Sequence, residues 1–197
     1  MHRDKEAAHT EGIVLRSPWF YDLLMKIITL GGEGRFRRRI VTAAQLKAGQ
    51  RVLDVGCGTG TLALAAAVEV GPEGRVQGID PAPEMIARAR AKAAKAGQGV
   101  EFEVGVIEAL PFPDRSMDVV LSTLVFHHLP EHLQRSGLAE ILRVLAPGGR
   151  MVLVDFGNPD RLAADAQAAG FGPVTTARLG PRFLFVLIAE IGVPDTA

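Results

Sequence analysis

The 197-residue chain contains one cysteine, Cys57, one tryptophan, Trp19, and one tyrosine, Tyr21. A lone cysteine excludes an internal disulfide and a zinc site made of cysteines. Set between two glycines, Cys57 reads as a small filler rather than a nucleophile. The chain has no net charge, its 22 basic residues balancing 22 acidic ones, so composition offers no reason to expect a nucleic-acid partner. It has no apolar run of the ~20 residues that a membrane helix needs. The longest candidates, 23–30 and 183–191, are short and carry Lys26 and Glu190. Residues 1–12 are polar and mixed in charge, unlike a signal peptide. They are expected to be mobile, and the protein to be cytoplasmic.

What the chain does have is an apolar fraction of 48%, too high for a disordered chain, and a regular alternation of elements. The spacing predicts strands at 51–55, 75–79, 100–104, 118–123 and 149–155, and helices at 60–70, 83–96, 131–145 and 160–169. Such alternation implies a parallel, doubly wound α/β sheet with helices on both faces. Residues 174–178 and 183–190 are strand-like and joined too briefly for a crossover, so an antiparallel hairpin should close the sheet. Two helices precede the first strand. One starts at Ser17-Pro18 and carries Trp19, Phe20, Leu23, Leu24, Ile27 and Ile28 at helical spacing; the other runs from about Glu33 to Leu46 and starts with Arg35, Arg37, Arg38 and Arg39. They form a structural cap or a substrate lid. The arginines form a solvated face or a contact for an anionic substrate or membrane surface. No repeat, low-complexity segment or linker appears. A single domain over 1–197 is expected, with a helical cap over 1–48 and the α/β core over 49–197.

Chemistry concentrates at three strand ends, where a doubly wound sheet binds its ligands. The first is Asp54-Val55-Gly56-Cys57-Gly58-Thr59-Gly60, a strand running into a glycine turn and a helix N-terminus. The second is Asp80, 24 positions after Gly56, placed to accept ribose hydroxyls or to cap the helix at Pro83. The third is Ser122-Thr123-Leu124-Val125-Phe126-His127-His128. Adjacent histidines point in different directions and make a poor metal pair, so no metal is expected. Either His127 or His128 can serve as a general base, or pack and cap the loop. The Gly56-x-Gly58-x-Gly60 spacing departs from the dinucleotide fingerprint, with Thr61 at its last glycine position. Asp54 would sit badly beside a pyrophosphate but suits an ammonium and a sulfonium. The turn therefore favours an amino-acid nucleoside over NAD, which leaves an NAD-linked oxidoreductase as the weaker alternative.

The run Val52 to Gly60 resembles the first motif of class I S-adenosylmethionine-dependent methyltransferases. Gly78-Ile79-Asp80-Pro81 is similar to their second-strand acidic motif. Leu110 to Asp114 with Met117 to Val120 resembles the approach to their fourth strand, and Leu142 to Gly149 the turn before the fifth. The likeness spans about residues 45–156 and is nearest to the small-molecule branch that includes the ubiquinone and menaquinone biosynthesis methyltransferases. It implies a Rossmann-like, mostly parallel seven-stranded sheet. It implies S-adenosyl-L-methionine as cofactor and methyl transfer to a small, hydrophobic or amphiphilic acceptor. By position, Gly56, Gly58 and Gly60, with Cys57 between them, would line the methionyl and ribose part. Asp54 would hold the ammonium directly or through water, Asp80 the ribose, and Pro81 or Ala82 the adenine. Thr123 would lie on the floor, and Tyr21 would close over the cofactor. Family members often have Gly-Asp-Ala where this chain has Gly105-Val106-Ile107. Adenine would then be held by the backbone at Val106 and Ile107, or by Glu108. A non-catalytic cofactor-binding or assembly protein remains the other reading, since fold alone does not establish catalysis. The sequence specifies neither the acceptor nor the oligomeric state.

Overall fold

The computed structural model describes residues 10–19, 32–179 and 184–192. Its core is a seven-stranded sheet: β1 (Arg51–Val55), β2 (Arg75–Asp80), β3 (Glu101–Val104), β4 (Met117–Thr123), β5 (Leu145–Phe156), β6 (Val174–Arg178) and β7 (Leu184–Glu190). The strand order is β3-β2-β1-β4-β5-β7-β6. The first five strands pair in parallel, and β7 lies antiparallel to both β5 and β6. The doubly wound sheet and its antiparallel hairpin match the sequence expectation. The order switches at β1 and β4, whose carboxyl ends hold the glycine turn and the His127-His128 segment, where such a sheet opens a crevice for a ligand.

The α-helices whose full extent lies among the described residues are α1 (Glu33–Ala44), α2 (Thr61–Val70), α3 (Pro83–Ala96), α4 (Glu131–Val144) and α5 (Pro159–Ala169). Successive strand residues point to opposite faces, which assigns the helices to two layers. Val52, Val76, Val119, Leu121 and Val152 share a cluster with Ile40 and Ala44 of α1, Ala63 and Ala66 of α2, and Ile86 and Ala89 of α3. Leu53, Val55, Val120, Met151 and Leu153 share the other with Leu138 and Ile141 of α4 and with Leu162 and Ala166 of α5. Each large side chain fully buried in these layers contributes about 2 kcal/mol by removal from water. The small side chains of α2 let it lie close to β1, which draws its N-terminus onto the glycine turn.

Some boundaries differ from the expected ones. α1 ends at Ala44 rather than near Leu46, because Gln45 turns left-handed. β5 begins at Leu145, ahead of the Pro147-Gly148-Gly149 turn: Met117 pairs with Leu145 and Val119 with Arg150, so the turn forms an irregularity within the strand. Of the arginine run, Arg35, Arg38 and Arg39 are exposed, but Arg37 is buried and pairs with Glu33. Its register with Ile40, Val41 and Ala44 on one helical stripe puts it on the core face of α1. Pro18 and Trp19 are helical, as expected from Ser17-Pro18, and Trp19 is exposed; the rest of that helix, with Tyr21, lies outside the described residues. So do the residues joining β6 to β7.

Arg143 of α4 fixes the Leu110–Asp114 loop. It donates to the carbonyls of Leu110 (2.9 Å) and Phe112 (2.8 Å) and to Asp114 Oδ1 (2.8 Å). Glu140, itself bonded to Arg143, accepts the Leu110 amide at 2.7 Å. Leu110, Phe112 and Ile107 are thereby held in the core beside α4.

Candidate functional site

At the carboxyl end of β1 the chain turns through Gly56, Gly58 and Gly60, all with positive φ. At Gly56 (φ +70°) a Cβ would come within 2.2 Å of Val125 Cγ2, so only glycine lets the post-β4 segment close over the turn. At Gly60 (φ +76°) a Cβ would meet Phe102 at 2.7 Å and Ala89 at 2.8 Å. This third glycine serves helix–sheet packing rather than approach to a ligand. Cys57 is buried behind the turn, where its thiol is pushed up by burial. Its amide donates to the Ile79 carbonyl at 2.8 Å, tying the turn to β2.

Asp80 ends β2 and bridges two turns. Its Oδ2 accepts the Gly58 amide at 3.0 Å and its Oδ1 accepts the Ala82 amide at 2.9 Å, just ahead of α3. Burial pushes its carboxyl up to about 6, against the pull of those two amides. Asp54 is 1% exposed. Burial pushes its carboxyl up to about 7, opposed by the Arg37 guanidinium and the Ala63 amide. The parity that places Val52 on the α1–α2 face places Asp54 there as well, which accounts for the influence of Arg37.

A cavity opens at these strand ends, its empty space about 710 Å³ when the part open to solvent is included. Gly56, Gly58, Asp80 and Pro81 form one side, and Val106, Ile107 and Glu108 form another. Thr123, Val125 and His128 form a third. Residues 10–15, apart from Glu11, close it further, held by the Ile13 amide donating to the His128 carbonyl at 3.1 Å. Leu124 follows β4 in a left-handed conformation (φ +60°). Such backbone in a leucine is strained, and here it swings Val125 onto Gly56. Four buried polar atoms around these strand ends have no hydrogen-bond partner: Asp54 Oδ2, Glu108 Oε2, Ser122 Oγ and Thr123 Oγ1. Each unpaired buried group costs about 1–3 kcal/mol. All four can accept a hydrogen bond, so they fit a ligand rich in donors: an ammonium, ribose hydroxyls and an adenine amino group.

Of the residues singled out in the sequence, the structure brings Gly56, Gly58, Asp80, Pro81, Val106, Ile107, Thr123 and His128 to the cavity wall. Asp54, Cys57, Gly60 and His127 stand back from it, and Tyr21 lies outside the described residues. The adjacent histidines were expected to point in different directions, but their rings lie against each other. Their rings lie 3.8 Å apart, His128 toward the cavity and His127 bonded through Nδ1 to Asp155 Oδ1 at 2.6 Å. Burial and the neighbouring His127 hold His128 below its ordinary range. Residues 10–15 were expected in part to be mobile. That segment has no periodicity, so no sequence signal announced its place at the cavity. Asp155 was likewise missed, as one acidic residue at the end of an apolar strand.

The methyltransferase domain family matches residues 52–149, the span from β1 to the β5 irregularity. A demethylmenaquinone methyltransferase of Thermus thermophilus is 43% identical over 141 residues, covering 72% of this chain and 63% of that protein. The chain belongs to the S-adenosylmethionine-dependent methyltransferase family. A solved S-adenosylmethionine-dependent methyltransferase from Aquifex aeolicus superposes with a TM-score of 0.73 at 26% identity, covering 89% of this chain and 98% of that one. The cyclase SpnF superposes at 0.70 with 22% identity, covering 81% of this chain and 80% of that one. That last likeness is one of fold alone. The chain spans less than two thirds of the length of the curated quinone-methyltransferase relatives it matches. Among the described residues, no helix of this methyltransferase-family chain is long and apolar enough to cross a membrane.

Proposed function

We propose that the chain binds S-adenosylmethionine in the cavity and transfers its methyl group to a small, apolar, quinone-type acceptor. The observation that carries this reading is the row of unpartnered buried acceptors, led by Asp54 Oδ2, around a glycine turn braced by Asp80. S-adenosylmethionine supplies, when bound, a methyl group already activated on a sulfonium. The protein's own contribution is then proximity and alignment. In this reading Asp54, set back from the cavity wall, holds the ammonium through water, and the free lone pairs of Asp80 receive the ribose hydroxyls. Val106 and Ile107 pack on the adenine, with Glu108 Oε2 placed to accept its amino hydrogen. Thr123 and Ser122 complete the floor.

The acceptor class rests on the demethylmenaquinone methyltransferase relatives and on the apolar character of the segment beside the cavity, where Ile13 is 67% exposed between Gly12 and Val14 on the wall. Incubation with methyl-labelled S-adenosylmethionine and a reduced demethylated naphthoquinone tests the reading. Label transferred to the naphthoquinol supports it. Cofactor binding with no transfer would overturn the acceptor class and favour a non-catalytic cofactor-binding protein.

A further inference from the structure

His127 and Asp155 form a pair that the cofactor site does not use. Asp155 lies on β5 and is 1% exposed. Its Oδ2 accepts the amides of Phe126 (2.7 Å) and His127 (3.3 Å). Its Oδ1 accepts the Phe156 amide at 2.7 Å and meets His127 Nδ1 at 2.6 Å. Three backbone amides fix this carboxylate from both its own strand and the post-β4 turn and hold it as an acceptor. The histidine nitrogen that meets it must therefore carry a hydrogen. Nε2 of the neutral ring is then left with the lone pair. Among the described residues Nε2 makes no hydrogen bond, and the His127 side chain keeps 29% of its exposure.

Packing limits the ring further. His128 lies against one side at 3.8 Å, and Phe156 meets it edge-on at 5.5 Å. The ring is thus fixed at three points: Nδ1 by Asp155, the others by His128 and Phe156. A carboxylate bonded in this way would be an expensive way merely to cap a three-residue turn. Its first oxygen already satisfies the Phe156 amide, and Phe126 and His127 need only the second. The extra bond to Nδ1 orients an imidazole.

We propose that Asp155 is a positioning residue that presents His127 Nε2 as the proton acceptor for a methyl acceptor that extends past the cavity wall at His128, to where the His127 side chain is 29% exposed. This rests on the methyl-transfer reading above. As a naphthoquinol O–H bond breaks, its proton moves to the Nε2 lone pair and its electron pair closes the C=O bond, while the ring π pair forms the new bond to the methyl carbon; the proton of that ring carbon is lost afterwards to water, which restores the quinol. The pair of the broken methyl–sulfur bond returns to sulfur. The imidazolium formed is stabilised by the Asp155 carboxyl against its Nδ1 and later loses the Nε2 proton to water. His128 is the other titratable group against the ring, and its ordinary range is lowered by burial, so it competes little for that proton.

Two measurements test the pair. In the first, nitrogen-15 spectra of the wild-type chain bound to S-adenosylhomocysteine, assigned with His127→Gln, report the tautomer of the neutral ring. The Nδ1–H tautomer is expected, and an Nε2–H tautomer would overturn the proposal. In the second, His127→Gln is expected to lower kcat on a demethylated naphthoquinol by ~10²-fold or more, the range for a lost general base, with S-adenosylhomocysteine affinity within threefold of wild type. Turnover equal to wild type would overturn the proposal. If the wild type itself methylates no naphthoquinol, the acceptor assignment fails, and the tautomer measurement still decides the pair. Asp155→Asn supplies a further check: an amide there turns an N–H toward His127 or toward a backbone amide. Loss of the Nδ1–H signature in a variant that still binds S-adenosylhomocysteine is the expected result, and its retention together with full turnover would overturn the positioning role.

Discussion

The Gly58 amide donates to Asp80 Oδ2 at 3.0 Å, across 22 residues of sequence. This bond joins the two strand ends that frame the cavity. It also shows that Asp80 does two things at once. It braces the glycine turn and the start of α3 through its two amide contacts, and it retains free lone pairs facing the cavity.

Replacing Asp80 with Ala removes both braces together with a charged acceptor for ribose. Affinity for S-adenosylhomocysteine is expected to fall at least ~tenfold, the loss for a hydrogen bond to a charged group. Calorimetric titration measures it. An unchanged Kd would remove Asp80 from the ribose site.

The Asp54 carboxyl, raised to about 7 by burial, sets a pH dependence for binding. A ligand ammonium pairs with the carboxylate and not with the acid. Below that value, binding must expel a proton, and affinity weakens as pH falls. Between pH 7.5 and pH 6 the Kd for S-adenosylhomocysteine is expected to rise roughly tenfold, reinforced by Asp80 at about 6. In Asp54→Asn the affinity is lower throughout and most of the slope disappears. A wild-type Kd that is flat over this range contradicts the assignment of Asp54.

The same raised value makes Asp54 a liability in the empty protein. A carboxyl with a folded value above its ordinary one gives stability at acid pH that is lost as pH rises toward about 7. Thermal melts of the free chain are therefore expected to show Asp54→Asn more stable than wild type at pH 8. The gap should narrow steadily as pH falls from 8 to 5, since the unfolded carboxyl titrates only near 3.8. A variant less stable than wild type at pH 8 would contradict the dominance of burial over the Arg37 and Ala63 contacts at this carboxyl.

Gly56→Ala puts a methyl within 2.2 Å of Val125 Cγ2, at a φ of +70°. The positive φ alone costs about 1 kcal/mol or more. The variant is expected to lose stability and cofactor affinity together. Adding Val125→Ala should recover part of both, because it removes the steric component and leaves the backbone one. No recovery in melts of the double variant would show that Val125 does not press on the turn.

The sheet was legible because its signals are periodic: apolar runs at β1, β2, β4 and β5, separated by helices such as α3, with proline at its start and glycine just past its end. Gly56, Gly58 and Asp80 were legible because turn chemistry and strand ends are local. Arg37 was harder to place. In sequence it is one of four nearby arginines, and only its register with Ile40, Val41 and Ala44 turns it inward. Gly60 looked like a ligand glycine, but its environment of Phe102 and Ala89 comes from elements about 30–40 residues away. Asp155 was not legible at all. Its role depends on β4 and β5 being neighbours, a fact of topology that a strand-by-strand reading does not contain.

The measurement that bears most directly on the cofactor site is a calorimetric titration of the full chain with S-adenosylhomocysteine, run beside one with NADH. One site per chain with micromolar or tighter Kd for S-adenosylhomocysteine, and no heat with NADH, is the predicted result. Saturable binding of NADH with none of S-adenosylhomocysteine would contradict the roles assigned to the glycine turn, Asp54 and Asp80.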